Sequence, residues 1–227
     1  SEIENIAAAT DSLFRFIDAD TQADDAAKEV LRYRQALLKG MESLKHCPLS
    51  LRTMTAVSSA LRGTNVSVRK LDGTSIASAP SGQVIYTPPA REALILEKLH
   101  NLVEFLHSPG EMDPLVKMAI AHYQFEAIHP FSDGNGRTGR ILNLLYLAES
   151  GLLSQPVLNL SRYFIRHKPK YYAALLNVTK DGAWEDWILF MLQAVEETAL
   201  WPCQKAQAIA RLKRDTTCFI EASPLLK

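Results

Sequence analysis

Apolar residues recur at helical intervals along most of the chain, and one long stretch breaks the pattern. Near the start, Ile3, Ile6, Ala7, Leu13, Phe14 and Ile17 share a face at a 3.6-residue period, and Ser1 with Glu4 has the S-x-x-E form of a capping box. A helix is therefore predicted over 1–17, with others over 25–45, 49–62 and 91–107. Asp113 and Pro114 offer an N-cap and a first-turn proline to the next. Its run LVKMAIAHYQFEAI is apolar nearly all round and reads as the buried central helix. It should stop at His129 and Pro130, because a residue before proline is pushed out of the helical region. RILNLLYLAES resumes the helix up to Gly151, and LSRYFIRH, YYAALLNVT and WEDWILFMLQAVEETAL repeat the pattern. Between Gly63 and Ala90, by contrast, Gly, Ser and Pro accumulate around one β-prone run, QVIYT, which predicts an irregular segment with a short hairpin. The fold class is mainly α, with no repeat and no marked domain boundary.

Composition narrows this picture in a few ways. With 227 residues, 47% of them hydrophobic, the chain can bury a substantial core. Lys plus Arg equal Asp plus Glu at 25 each, so no overall field attracts nucleic acid or an acidic membrane surface. Any anion site must be local. The three cysteines, Cys47, Cys203 and Cys218, show no disulfide or zinc spacing and are expected to be buried, unreactive thiols. No apolar run is long enough to span a membrane, and no signal peptide is visible. The expected location is cytoplasmic. The chain begins at Ser1, so processing or truncation stays open.

Candidate chemistry concentrates in HPFSDGNGRTGR, residues 129–140. Gly134 and Gly136 let backbone N–H groups converge on one point. The helix that follows adds its own unpaired N–H groups and the positive end of its dipole. Arg137 and Arg140, three apart, lie on one side of its first turn. Together they suit a polyphosphate. Asp133 offers a hard oxygen to Mg²⁺, and His129 an imidazole able to accept a proton near neutral pH. GNGRTG also satisfies the dinucleotide pattern G-x-G-x-x-G, but a helix precedes it and no acid lies in 153–159, so a Rossmann reading fails. There is no GK[ST] ending for a P-loop either.

H-P-F-x-D-G-N-G-R-x-x-R is also the signature of Fic proteins, and His129, Pro130, Phe131, Asp133, Gly134, Asn135, Gly136, Arg137 and Arg140 fill every defined position. HYQFEAIHPF, GRILNLLYL, LSRYFIRHKPKYY and VIYTPP resemble the same family, so the likeness covers most of the chain and weakens after about 200. The resemblance implies a Fic fold: a helical bundle around a central helix-loop-helix motif, with a short β-hairpin flap. It implies a protein adenylyltransferase moving AMP from Mg·ATP to a Ser, Thr or Tyr hydroxyl of a target protein, itself included. His129 would be the base and Asp133 the Mg²⁺ ligand. Gly134, Asn135, Gly136, Arg137 and Arg140 would hold the phosphates, and Phe131 would anchor the loop. Ile85, Tyr86 and Thr87, in the flap at 82–90, would contact the target. Glu4-Asn5 fits the end of the family's inhibitory pattern [S/T]-x-x-x-E-[G/N], although its Ser or Thr would precede Ser1. Glu4 would pair with Arg140 and keep the enzyme off. The implied organisation is an inhibitory helix at 1–20, a core at 21–200 and a helical extension at 201–227, which is too short for the winged-helix domain of larger relatives.

The same family allows removal of AMP or transfer of another phosphate-containing group, and a non-catalytic nucleotide-binding module is a third reading. A homodimer is left open; no nucleic acid or membrane partner is expected. Structural roles compete at several positions: Glu4 as a capping residue, and His122, Tyr123, Tyr171, Tyr172, Trp184, Trp187 and Trp201 as packing groups.

Overall fold

The computed structural model describes residues 25–70, 76–77 and 84–222. The helix expected over 1–17, and Glu4 with it, lies outside the described residues. Helix α1 (Asp25–Leu44) is followed by α2 (Leu51–Arg62). Ser50 caps α2 by accepting from the Thr53 N–H, and Gly63, at φ 69°, ends it in a left-handed turn. The irregular stretch contains a minimal antiparallel hairpin, β1 (Ile76–Ala77) with β2 (Val84–Tyr86), paired as Ile76–Tyr86 and Ala77–Val84. Helix α3 (Glu92–His107) buries Ile95, Leu99, Leu102 and Leu106, a stripe at spacings of four and three.

Two helices form the centre. In α4 (Pro114–Ile128), Asp113 accepts from the Leu115 N–H and Pro114 opens the first turn, as the sequence predicts. Helix α5 (Asn135–Glu149) is buried on every side from Thr138 to Leu147. Their close approach depends on Gly139. A Cβ there would lie 2.7 Å from Glu126 Oε1 and 3.1 Å from a Phe125 ring carbon. On the other side, Gly40 lets α1 reach α5, since its Cβ would sit 2.5 Å from Leu145.

Helices α6 (Leu160–Arg166), α7 (Lys168–Asp181) and α8 (Trp184–Ala222) close the bundle around an aromatic cluster. His122 of α4 stacks on Trp187 (centroids 6.0 Å, planes 3° apart) and also meets Phe164 and Tyr171. Asn143 Nδ2 can only donate, so His122 Nδ1 accepts (3.1 Å) and Nε2 carries the proton towards Tyr171 Oη (3.0 Å). Burial pushes the His122 pKa down to about 3, with the Arg140 charge adding to the effect. The imidazole is thus a neutral core group. Trp187 is fully buried and donates Nε1–H to the Ala119 carbonyl, whereas Trp184 and Tyr172 are exposed.

The three cysteines correct the expectation: all are exposed free thiols. Cys47 sits in the α1–α2 turn, and Cys203 and Cys218 sit on the distal half of α8. Every residue from Cys203 to Glu221 is exposed, including Ile209, Leu212 and Phe219. Pro202 lies inside this single helix, at the point where burial ends. Among the described residues, no helix is long and apolar enough to cross a membrane.

Candidate active site

The site is the break between α4 and α5. His129 ends α4 in the left-handed region (φ 49°, ψ 59°), its N–H still bonded to the Phe125 carbonyl. A non-glycine residue is held in that region at a cost of about 1–2 kcal/mol, so the surroundings must enforce it. They do so through the carbonyls that the helix end leaves over. Tyr86 Oη donates to the Ala127 carbonyl (3.0 Å). Arg69 Nη2 donates to Ile128 (3.3 Å), Arg69 Nε to His129 (2.8 Å) and the Arg69 N–H to Pro130 (2.9 Å). Four successive carbonyls are therefore bound by one residue that precedes the hairpin and one within it.

The loop is held from inside as well. Phe131 is fully buried against Phe125. Asn135 Oδ1 accepts from the Phe131 N–H (2.9 Å) while its Nδ2 donates to the Phe131 carbonyl (2.7 Å). Both ends of the Asn135 amide are thus spent on the loop backbone. Its side chain braces the turn, a role that local pattern does not disclose.

The start of α5 is open by comparison. Gly134 is the N-cap at φ 79° and offers no side chain to the first turn. The first intrahelical bond runs from the Thr138 N–H to the Gly134 carbonyl (2.9 Å), so the amides of 135–137 lie ahead of the ladder. Arg140 folds back beneath this turn. A Cβ at Gly136 would come within 3.2 Å of its Nη1, so this glycine makes room for the guanidinium. Arg140 is only 2% exposed, yet its Nε and Nη2 meet no hydrogen-bond acceptor among the described residues. Leaving buried donors of a charged group unmet is costly, so these nitrogens call for an acceptor from beyond the described residues, such as an anion.

The other charges of the loop are paired. Arg137 bonds Glu29 of α1 (2.7 Å), with Asp133 at 3.9 Å. Asp133, 38% exposed, forms an ion pair with Arg62 at the end of α2. His129 has a buried Nδ1 without a regular hydrogen-bond partner among the described residues. Burial lowers its pKa; the Glu126 carbonyl opposes the shift and the Arg69 charge adds to it. The imidazole is therefore neutral at pH 7 and able to accept a proton. No cluster of three or more His, Cys, Asp or Glu suited to a metal occurs among the described residues.

The structure thus gathers His129, Phe131, Asp133, Gly134, Asn135, Gly136, Arg137 and Arg140 around one turn. Tyr86 reaches the same junction but by its anchoring hydroxyl; Thr87 is exposed, and the Ile85 side chain lies outside the described residues. Sequence reasoning missed Arg69, Arg62 and Glu29. The only signal for Arg69 was a charged residue at the edge of the Gly/Ser/Pro-rich stretch.

The Fic/DOC family profile matches residues 28–147, more than half of the chain, and the profile of the family's N-terminal region matches residues 1–42. The chain belongs to the Fic/DOC family. It is 41% identical over 92 residues to a protein adenylyltransferase of Caenorhabditis briggsae, covering 40% of this chain and 17% of that protein. A probable protein adenylyltransferase of Aquifex aeolicus is 35% identical over 95 residues, covering 42% and 29%. The match therefore spans less than a third of either relative. A Fic family protein of Desulfovibrio desulfuricans G20 superposes with a TM-score of 0.68 at 22% identity, over 90% of this chain and 65% of that one. A Fic domain containing signaling protein of Bacteroides thetaiotaomicron gives 0.60 at 20% identity, over 85% and 80%. These superpositions speak for the Fic fold.

Proposed function

We propose that this chain is a protein adenylyltransferase that transfers AMP from ATP to a Ser, Thr or Tyr hydroxyl of a protein. The reading rests on Arg140, buried below an uncapped helix start with two guanidinium nitrogens lacking an acceptor among the described residues, at the same junction as a neutral, buried histidine. The names of the curated relatives support the same reaction class.

In this mechanism the first-turn amides of α5 and the Arg140 guanidinium receive the polyphosphate, and Arg137 turns from Glu29 to the phosphates. These donors are already oriented, so charge growing on phosphate oxygens meets little reorganisation. His129 accepts the proton of the target hydroxyl. The hydroxyl oxygen forms a bond to the α-phosphorus while the bond to the pyrophosphate oxygen breaks, and pyrophosphate departs with the electron pair. Asp133 fits a Mg²⁺ held by one carboxylate, since the nucleotide's phosphates and water complete such a shell. When bound, Mg²⁺ would neutralise phosphate charge; Arg62 must first release the carboxylate. Both hairpin strands are edges among the described residues, and β2 offers backbone groups to an extended target segment. Glu4 is assigned the inhibitory role, by occupying Arg140 in place of the nucleotide.

The test is incubation with α-labelled ATP and Mg²⁺ in the chain as it stands and in Glu4→Gly. Label on protein hydroxyls that disappears in His129→Ala is expected. Label that persists in that variant refutes the assignment of the base, and label unchanged by Glu4→Gly returns Glu4 to helix capping.

A further inference from the structure

Arg69 lies outside the signature loop, on the segment that leads into the hairpin, and is only 7% exposed. Its contacts have a pattern that simple burial does not explain. The guanidinium donates to the carbonyls of Ile128 and His129, and also to the carbonyl of Pro89, where the hairpin segment ends. Its own N–H donates to the Pro130 carbonyl. One residue therefore holds both peptide groups flanking His129 and, at the same time, the far end of the hairpin segment.

We infer that Arg69 is a positioning residue for the transfer reaction, fixing the base and the target-binding hairpin in one frame. It rests on the adenylyl-transfer reading for its chemistry. Two physical arguments support it. A left-handed non-glycine residue keeps that conformation only where its neighbours over-determine it. Here the restraint is a forked, permanently charged donor placed on the negative end of a helix. Transfer also requires the target oxygen, carried by the hairpin, to meet the imidazole at hydrogen-bond distance. A single guanidinium reaching both partners makes that distance a property of the fold rather than of the encounter.

The contacts distinguish Arg69 from the residues around it. Arg62 and Arg137 pair with the acids Asp133 and Glu29, whereas the hydrogen bonds of Arg69 named above run to carbonyls on the α4 side of the break and to that of Pro89. Lys70, next in sequence, makes an exposed ion pair with Glu92 and reaches none of them. Loss of Arg69 should therefore leave nucleotide affinity alone and damage transfer, the reverse of the pattern expected for Arg140.

The experiment compares Arg69→Met, which keeps the stem but no donors, and Arg69→Lys, which keeps the charge but not the fork, each in the Glu4→Gly background. Single-turnover transfer, Mg·ATP affinity and melting temperature are measured together. Transfer per folded molecule is expected to fall on the order of 100-fold in Arg69→Met and less in Arg69→Lys, with Mg·ATP affinity within about twofold. Transfer per folded molecule that is unchanged while melting temperature drops overturns the inference. So does a loss of nucleotide affinity matching the loss of transfer. If Arg69→Met fails to fold, Arg69→Lys carries the same comparison. If the unmutated site transfers no AMP, the proposed function fails, and Arg69 is judged on ¹⁵N-histidine spectra at fixed pH. His129 ring signals should move in the variants while those of His122 stay; unmoved His129 signals sink the positioning role.

Discussion

The two sides of the α4–α5 break are built in opposite ways. On the α4 side, the carbonyls of Ala127, Ile128, His129 and Pro130 are each bound by a donor from Tyr86 or Arg69. On the α5 side the cap is a glycine without a side chain, and the guanidinium beneath it has two nitrogens that meet no acceptor among the described residues. Ordinary folding would satisfy both ends. The difference shows where the contacts of the described residues concentrate, on holding His129, and where they leave polar groups unmet, on the α5 side.

The largest effect is expected at His129. His129→Ala should lower transfer by about 10²–10⁴-fold while leaving ATP binding intact, because it acts on the α4 side alone. Burial lowers the His129 pKa, so the imidazole stays deprotonated further into acid than an ordinary histidine. The acid limb of the pH–rate profile should then lie below about pH 6.5, and a limb above that value contradicts the burial argument.

His122, in the shared floor of the junction, has the next largest expected effect. Its folded pKa of about 3 lies below the unfolded value, so the folded state binds fewer protons between them. Its contribution is complete above about pH 6.5 and is lost as pH falls towards 3, by an amount on the order of several kcal/mol. Denaturant melts across this range should be flatter for His122→Gln, which keeps an amide for Asn143 and Tyr171.

Arg140→Met removes the guanidinium from the α5 side. In the Glu4→Gly background, saturating Mg·ATP should stabilise the parent by about 2–3 kcal/mol at a hundredfold excess over its Kd. The Met variant should lose that increment, as read by thermal melting with and without nucleotide. The smallest change is Tyr86→Phe, which removes one stitch from Ala127 and should cost about 1 kcal/mol in chemical denaturation.

Much of this was legible in the sequence because it is local. The bounds of α4, its Asp113–Pro114 start and its stop at His129 follow from capping and proline rules. The signature spacing places Gly134, Gly136 and Arg140 on one turn without knowledge of the rest. What escaped is the choice of distant partners. Glu29 meets Arg137 across 108 positions and Arg69 meets His129 across 60, and no periodicity encodes such pairs. Asn135 was named from the signature, but its bracing bonds to Phe131 were not foreseen, for another reason. Its amide could equally serve a ligand or the backbone, and only the path of the Phe131 peptide decides between them. Cys203 and Cys218 were misjudged because the apolar texture of α8 continues past the point where burial ends, and Cys47 because it falls in the turn between α1 and α2.

That overhang has a mechanical consequence. At 1.5 Å per residue, the uncovered part of α8 is a rod roughly 30 Å long, continuous with a half anchored through Trp187 and Phe190. A probe at Cys218 would report at nearly fixed radius, with Pro202 as the one joint where bending can be taken up. Distances from Cys218 to the hairpin would then record the angle of the rod.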